Sequence, residues 1–554
     1  MISFIMGLLL FGGFYDFSVS ATAICVVAEI LFHYYKKKPV YQKKKNYILW
    51  IPAVLVGWSV LVCVWALDVS ENILGILRGA VVLLWMYRCF LMDEEENQRI
   101  FDMIPYLGAG MTLIGLLSLI HDGFADYFWQ ARRFGGFFQY SNTCALFLVL
   151  GIVILVQQFL QKQDKSKTNT EELFAISIFK KDNLLMALVF IVLIVGLLLT
   201  GSRSVLLILF IWGIYKALRV KQLRIPFVVA VVLGLGSAWF YGMLTDDSQN
   251  IARIFTLFSS NSTILGRILY DIDALSIAKG HPFGLGYMGY YYIQPTVQTG
   301  VYTTRFIHND LLQILVDYGI PAFGLILVYL GWQLIKGKQS IQKKELLILI
   351  LVASLVDFHL QYMSILMLVV LCLNLGEKDR VKKQKELREN YIFCGMAVAL
   401  FAYFTVAFAA LYLGNNELAI KLFPNYTQAQ VQVLNGCTDK EKAVVLADEI
   451  LSHNAYVSEA YHVKVYAAVM DGGFEEALEY MDKSLALRRY DVETFRAYDE
   501  LLNEMIIMCE NEEVDISLER LIQFKNELPI RLAEVEKETH PIAFKLRDTP
   551  VFVW

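Results

Sequence analysis

Apolar residues come in long runs along this chain, and the runs set its first reading. Nearly uncharged stretches lie at about 2–14, 17–35, 47–66, 73–92, 101–120, 141–160, 183–200, 204–219, 225–243, 309–335, 345–358, 360–376 and 391–413. A helix needs about 20 residues to cross a hydrocarbon core of about 30 Å, and most of these runs approach that length. They predict an all-α polytopic membrane bundle of 12–13 transmembrane helices over residues 1–414. Two long loops interrupt it, at roughly 121–140 and 244–308. Beyond 414 the apolar residues take helical spacing on a polar background, which predicts a soluble helical domain over 415–554.

Within that tail, AYHVKVYAAVMDGGFEEALEYMDKSLALRRYD (460–491) places two helices around Gly472-Gly473, and SEAY at 458–461 recurs as FRAY at 495–498. The pattern resembles a tetratricopeptide repeat, a helix pair of about 34 residues. A weaker pair covers 416–455. Such stacks present a concave surface suited to a protein partner; a plain helical cap fits the same pattern.

The loops orient the bundle. Lysines at 36–38, 43–45, 162–167, 180–181, 336–344 and the KDRVKKQKELR run from 378 fall on one side, whereas DVSEN at 68–72 has none. The positive-inside rule makes the basic side cytoplasmic. The N-terminus is then cytoplasmic and the tail extracytoplasmic, in a multi-pass cell-membrane protein. Residues 2–14 lack a basic n-region and a cleavage site and read as a retained span.

Composition agrees. The 554 residues are 57% hydrophobic and 18% charged, where a soluble protein carries about a quarter charged residues. Residues 415–554 hold 26 acids against 14 bases, and the remainder 27 against 35. A basic membrane body joined to an acidic tail leaves no exposed basic domain for nucleic acid. No Cys/His grouping of zinc type occurs, and no cofactor is expected.

Arginine breaks the charge rule. Arg78, Arg132, Arg133, Arg203, Arg253, Arg267 and Arg305 all map to the outer side, where lysine is nearly absent. Guanidinium presents a fixed fork of donors that matches phosphate oxygens. The set therefore points to an anionic, phosphate-bearing substrate, although any single arginine fits snorkelling to lipid headgroups equally. TGSRS at 200–204 is a tight reversal carrying Arg203. GRILYDIDALSIAKGHPFGLGYMGYY at 266–291 reads as an amphipathic helix, a Gly-rich loop and a tyrosine cluster. Its GLGYMG is no dinucleotide site, because no strand precedes it; the glycines suit close packing of backbone on a ligand or a helix. His308 stands at the start of a span with Asn309 and Asp310 as capping groups. The positive end of a helix opposes an imidazolium, which leaves a neutral ring able to act as general base. A purely structural histidine fits the same place.

RRFGGFFQYSNTCALFL (132–148), TGSRSVLL (200–207), the 266–291 segment, HNDLLQILVDYGIPAFGL (308–325) and DFHLQYMSILMLVVL (357–371), in that order, resemble the O-antigen ligase and O-antigen polymerase superfamily of bacterial envelope glycosyltransferases. The resemblance implies inverting, metal-independent transfer of a glycan from undecaprenyl pyrophosphate to an acceptor hydroxyl on a glycan, lipid or protein. It implies that His308 is the base and that Arg203 and Arg267 bind the pyrophosphate. Arg133 and Asn142 match a further element, from which this chain departs at Gln139-Tyr140-Ser141. Arg78 and Arg305 rest on the arginine argument alone, and Asn309, like Asn142, is expected at the substrate. Polymerase and ligase are not separated by these motifs. A flippase for lipid-linked glycans and a non-catalytic anchor for the tail are the rival readings.

Overall fold

The structure is a computed structural model describing residues 1–36, 40–43, 50–166, 183–225, 227–228, 232, 262–376, 378–381, 387–511 and 516–554. All but four residues of the predicted span 225–243 lie outside that set, as do Arg253 and the lysines at 37–38, 44–45, 167, 180–181, 382–383 and 385. Every other predicted span carries helix. In the bundle these are α1 (Ile2–Leu9), α2 (Asp16–Tyr35), α3 (Trp50–Val62), α4 (Val69–Leu91) and α5 (Glu94–Ser118). The first long loop forms α6 (Asp122–Phe128), and α7 (Ser141–Ser166), α8 (Leu184–Thr200) and α9 (Arg203–Arg219) follow. The second loop contributes α10 (Ser262–Gly280) and α11 (Gly289–Val297). Then come α12 (Asp310–Lys336), α13 (Ile341–Ser354), α14 (Met363–Cys372) and α15 (Leu387–Tyr412). The tail is α16 (Asn416–Leu422), α17 (Thr427–Gly436), α18 (Lys440–His453), α19 (Ser458–Met470), α20 (Phe474–Leu487), α21 (Val492–Asn511) and α22 (Leu518–Glu538).

Among the described residues six helices, α2, α4, α5, α7, α12 and α15, are long and apolar enough to cross a membrane; α3, α8 and α14 are apolar but shorter. The chain is an all-α polytopic membrane protein. Two predicted spans are broken. The first ends at Leu9, because Gly12 and Gly13 are left-handed and a Cβ at Gly13 would stand 2.6 Å from that of Met363. The other is α12, interrupted at Gly319.

The chain forms two compact units: the described parts of 1–52, 80–260 and 328–402, and those of 53–79, 261–327 and 403–554. In the first, α7 packs against α5, α8, α9 and α13. It is apolar on every side, and Cys144 to Val149 are wholly buried, as a helix enclosed by others must be. Charges here are paired, as burial demands. Arg88 reaches Glu29 at 2.7 Å, and Lys216 reaches Glu345 at 2.7 Å, with Gln157 donating to the same carboxylate at 3.0 Å.

In the second unit the tail helices pack each on the next. Their core runs from Val465 through Phe474, Met481, Phe495 and Leu502 to Leu532. Gly472, at φ +76°, turns the chain between α19 and α20, where the sequence pattern predicts a reversal. The tail is also bonded to the start of α4. Asp68, 1% exposed, accepts hydrogen bonds from Thr427 (2.5 Å) and Asn454 (2.8 Å) on one oxygen, and from Ser70 and the Glu71 N–H on the other. Glu71, fully buried, accepts from Tyr292 at 3.2 Å and from Gln428 at 3.1 Å to each oxygen.

Candidate functional site

The expected site residues fall into two groups, one in each unit. In the first unit a two-stranded hairpin, Trp129–Gln130 against Arg133–Phe134, turns through Ala131 and Arg132. Both turn residues have positive φ (47° and 62°), the backbone of a type I′ turn, whose twist matches that of paired strands. The hairpin leaves Arg132 exposed and sends Arg133 inward. Arg133 Nε donates to the Thr200 carbonyl at 2.8 Å and a terminal nitrogen to Asn142 Oδ1 at 3.1 Å. Asn142 in turn donates to buried Asp357 at 2.5 Å, and Tyr140 donates to the same carboxylate at 2.9 Å. Arg133, Asn142 and the TGSRS turn are thus brought together, with Arg133 and Asn142 bonded to each other. Gly201, left-handed at φ +60°, ends α8, and Arg203 opens α9. Buried Ser202 sits at the cap of α9, and its hydroxyl has no hydrogen-bond partner among the described residues. A helix N-terminus with arginine in its first turn favours an anion.

In the second unit the geometry follows from how α12 begins. Asn309 Oδ1 accepts the N–H groups of Leu311 (3.2 Å) and Leu312 (3.3 Å). Asn309 is therefore the cap, and fully buried Asp310 is the first helical residue. His308, expected in the first turn, instead precedes the helix by two residues. It is held on both sides, by this cap and by buried Ile307, whose N–H donates to Gln313 Oε1 at 2.8 Å.

Against it lies α10. Arg267, Tyr270 and Asp271, at spacings of three and four, share one helical face. The His308 ring rests on Tyr270 with centroids 5.8 Å apart; Tyr270 rests on Tyr302 at 4.4 Å, and Tyr302 donates to Asp273 at 2.6 Å. Asp271 faces the Asn309 amide, His308 and Arg267; burial pushes its carboxyl up to about 6, against the downward pull of those three groups. One of its oxygens is buried with no hydrogen-bond partner among the described residues. Sequence reading passed over Asp271; its spacing of four from Arg267 was the signal that could have found it.

Arg78 and Arg305 flank an aromatic pair: Arg78 lies 5.7 Å from the Tyr287 ring, Tyr287 lies 6.3 Å from Phe306, and Arg305 lies 5.6 Å from Phe306. Such contacts restrain a guanidinium beside a ring face.

The Gly-rich loop secures the whole arrangement. Gly319, at φ +75°, breaks α12, and the backbone groups released there bond to residues 282–286. Leu285 N–H reaches the Val316 carbonyl (3.0 Å), Gly286 N–H that of Asp317 (2.8 Å), and Ile320 N–H that of Pro282 (2.8 Å). The glycines of GLGYMG fold against a helix, one of the two uses expected of them.

The sequence model of the O-Antigen ligase family matches residues 188–327. That range contains Arg203, Arg267, Arg305, His308 and Asn309, and leaves out Arg78, Arg133 and Asn142. No curated protein and no solved structure matches the chain. Fold and match together describe a polytopic membrane protein with a segment similar to O-antigen ligases. They support a place in that superfamily and a glycan-transfer role in surface polysaccharide assembly.

Proposed function

We propose that this protein transfers a glycan from an undecaprenyl-pyrophosphate-linked donor to an acceptor hydroxyl at the outer face of the cytoplasmic membrane, acting as a surface polysaccharide ligase or polymerase. The observation that carries the reading is the company of His308. Within the segment similar to O-antigen ligases, a capped helix start holds His308 among Arg267, Tyr270, Asp271 and Asn309.

In the proposed step the acceptor hydroxyl gives its proton to an imidazole nitrogen of His308, and its oxygen attacks the anomeric carbon. The bond from that carbon to the pyrophosphate oxygen breaks, and its electron pair leaves on the lipid pyrophosphate. One displacement inverts the anomeric centre. The leaving group already carries most of its negative charge, so fixed guanidinium donors can supply much of the transition-state stabilisation, in the role a metal plays elsewhere. Arg267, on the α10 face whose Tyr270 meets the base, is a proposed ligand, with Arg305 and Arg78 on their aromatic pair. Arg203 is proposed as a pyrophosphate ligand from its motif and its place at the α9 N-terminus. Arg133 and Asn142 are proposed to act by holding the turn that carries Arg203.

Purified protein given the lipid-pyrophosphate repeat unit alone separates the two activities: laddering identifies a polymerase, and product only on addition of an acceptor identifies a ligase. His308→Ala should lower transfer by roughly 10²–10⁴-fold, the range for loss of a general base. Full transfer by a folded His308→Ala protein would remove the reading.

A further inference from the structure

Asp271 has no role in the steps above, yet among the described residues it is a carboxyl group beside their base. It lies one helical turn beyond Arg267, next to Tyr270, whose ring meets that of His308 with centroids 5.8 Å apart, and the Asn309 amide donates to it. The backbone fixes this meeting from both directions. On one side, Asn309 caps α12 through its oxygen, which turns its amide toward Asp271. On the other, α10 is held by its opposite face. Leu269 packs with Tyr302 and Ala543, and the His540 N–H donates to the Thr299 carbonyl at 2.9 Å. Thr299 itself donates to Asp273 twice, at 2.9 Å from its N–H and 2.8 Å from its hydroxyl.

We propose that Asp271 is the positioning residue for His308, orienting the imidazole toward the acceptor hydroxyl and stabilising the imidazolium that forms as the proton arrives. The proposal rests on the reading of His308 as the base. Asp271 takes no proton in the step: the proton moves from the acceptor oxygen to the ring nitrogen, and the carboxylate keeps its charge beside the new cation. A half-buried carboxylate with one enclosed and unused oxygen is costly to keep for structure alone, whereas a fixed anion beside a base that becomes cationic is useful in the transition state. Among the described residues, the charged and titratable groups acting on Asp271 at this corner are His308 and Arg267, with Tyr270 beside them and Asp548 acting on Tyr270. Arg267 is the one fixed cation of this set, so the carboxylate also offsets its repulsion of a nascent imidazolium.

The experiment compares four full-length proteins in detergent: wild type, Asp271→Asn, His308→Gln and the double variant. Turnover is measured with lipid-pyrophosphate glycan donor and acceptor, and thermal unfolding shows that each protein is folded. Asp271→Asn is expected to lower kcat by roughly 10–100-fold, the usual effect of removing a group that orients another, with donor KM within about twofold. The double variant is expected to be no slower than His308→Gln, because groups that act as a unit are not additive. Near wild-type kcat in Asp271→Asn, a loss confined to donor KM, or losses that multiply in the double variant would each overturn the positioning role. A His308→Gln protein with full activity would instead overturn the underlying reading of His308, so the two failures are distinguishable.

Discussion

A carboxyl beside an imidazole is useful while it is ionised, and Asp271 sits where ionisation is costly. Burial raises its folded-state pKa to about 6, above the roughly 3.9 of an unfolded aspartate. Between those values the folded protein holds a proton that the unfolded chain has lost. Stability from this group is therefore complete below about pH 4 and is lost as pH rises through about 6. Asp271→Asn should unfold at a higher temperature than wild type at pH 7.5, and the gap should close by pH 4; unfolding scans across that range check it. A gain in stability with a loss in turnover is the usual signature of a group kept for function. The arginines differ from one another in a related way. Arg133 spends Nε on Thr200 and a terminal nitrogen on Asn142, and Arg78 and Arg305 lie beside the Tyr287 and Phe306 rings. Sequence placed all of them in one class because side-chain type was visible to it and hydrogen-bond partners were not.

At the level of elements, the join between the GLGYMG loop and the break in α12 matters most. Gly284 has φ +85°, and a Cβ there would meet the Asp317 carbonyl oxygen at 2.5 Å. Gly284→Ala should cost about 1–3 kcal/mol, seen as a lowered unfolding temperature, and should reduce transfer because the loop braces α12 at Val316, Asp317 and Ile320, in the helix that follows His308. Gly280→Ala is the control, since a Cβ at Gly280 meets nothing within 4 Å. Spans were legible because a run of apolar residues is dictated by lipid and needs no partner to explain it. The break at Gly319 was not, because it depends on a loop more than thirty residues upstream (282–286) taking up the freed backbone groups. A trace of it was present: Asp310, Gln313 and Asp317 recur every three or four residues, and all are buried, with Gln313 donating to both oxygens of Asp317. That polar stripe marks the first turns of α12 as facing protein. The position of His308 before the helix was equally hidden, because Asn309 and Asp310 are both good caps in sequence and geometry alone chose Asn309.

For the whole molecule, the buried bonds of Asp68 and Glu71 constrain how the chain threads a membrane. They join the 68–72 loop to Tyr292 in the second long loop and to Thr427, Gln428 and Asn454 in the tail. These three segments must share one side, so an even number of crossings separates each pair, as the loop charges independently suggest. Exposed Thr303 and Ala455, changed singly to cysteine in a cysteine-free background, should both be labelled by a membrane-impermeant maleimide applied outside the cell. Labelling of one without the other would contradict that threading. The break in α12 has a consequence for the lipid as well. Past Gly319 only residues 320–336 remain helical, and at 1.5 Å per residue that is roughly 25 Å, short of a hydrocarbon core of about 30 Å. A bilayer matched to residues 320–336 alone would be thinner by a few ångströms beside this helix. On the proposed function, a lipid-linked donor arriving from the membrane would then meet a thinner bilayer beside the helix that follows His308.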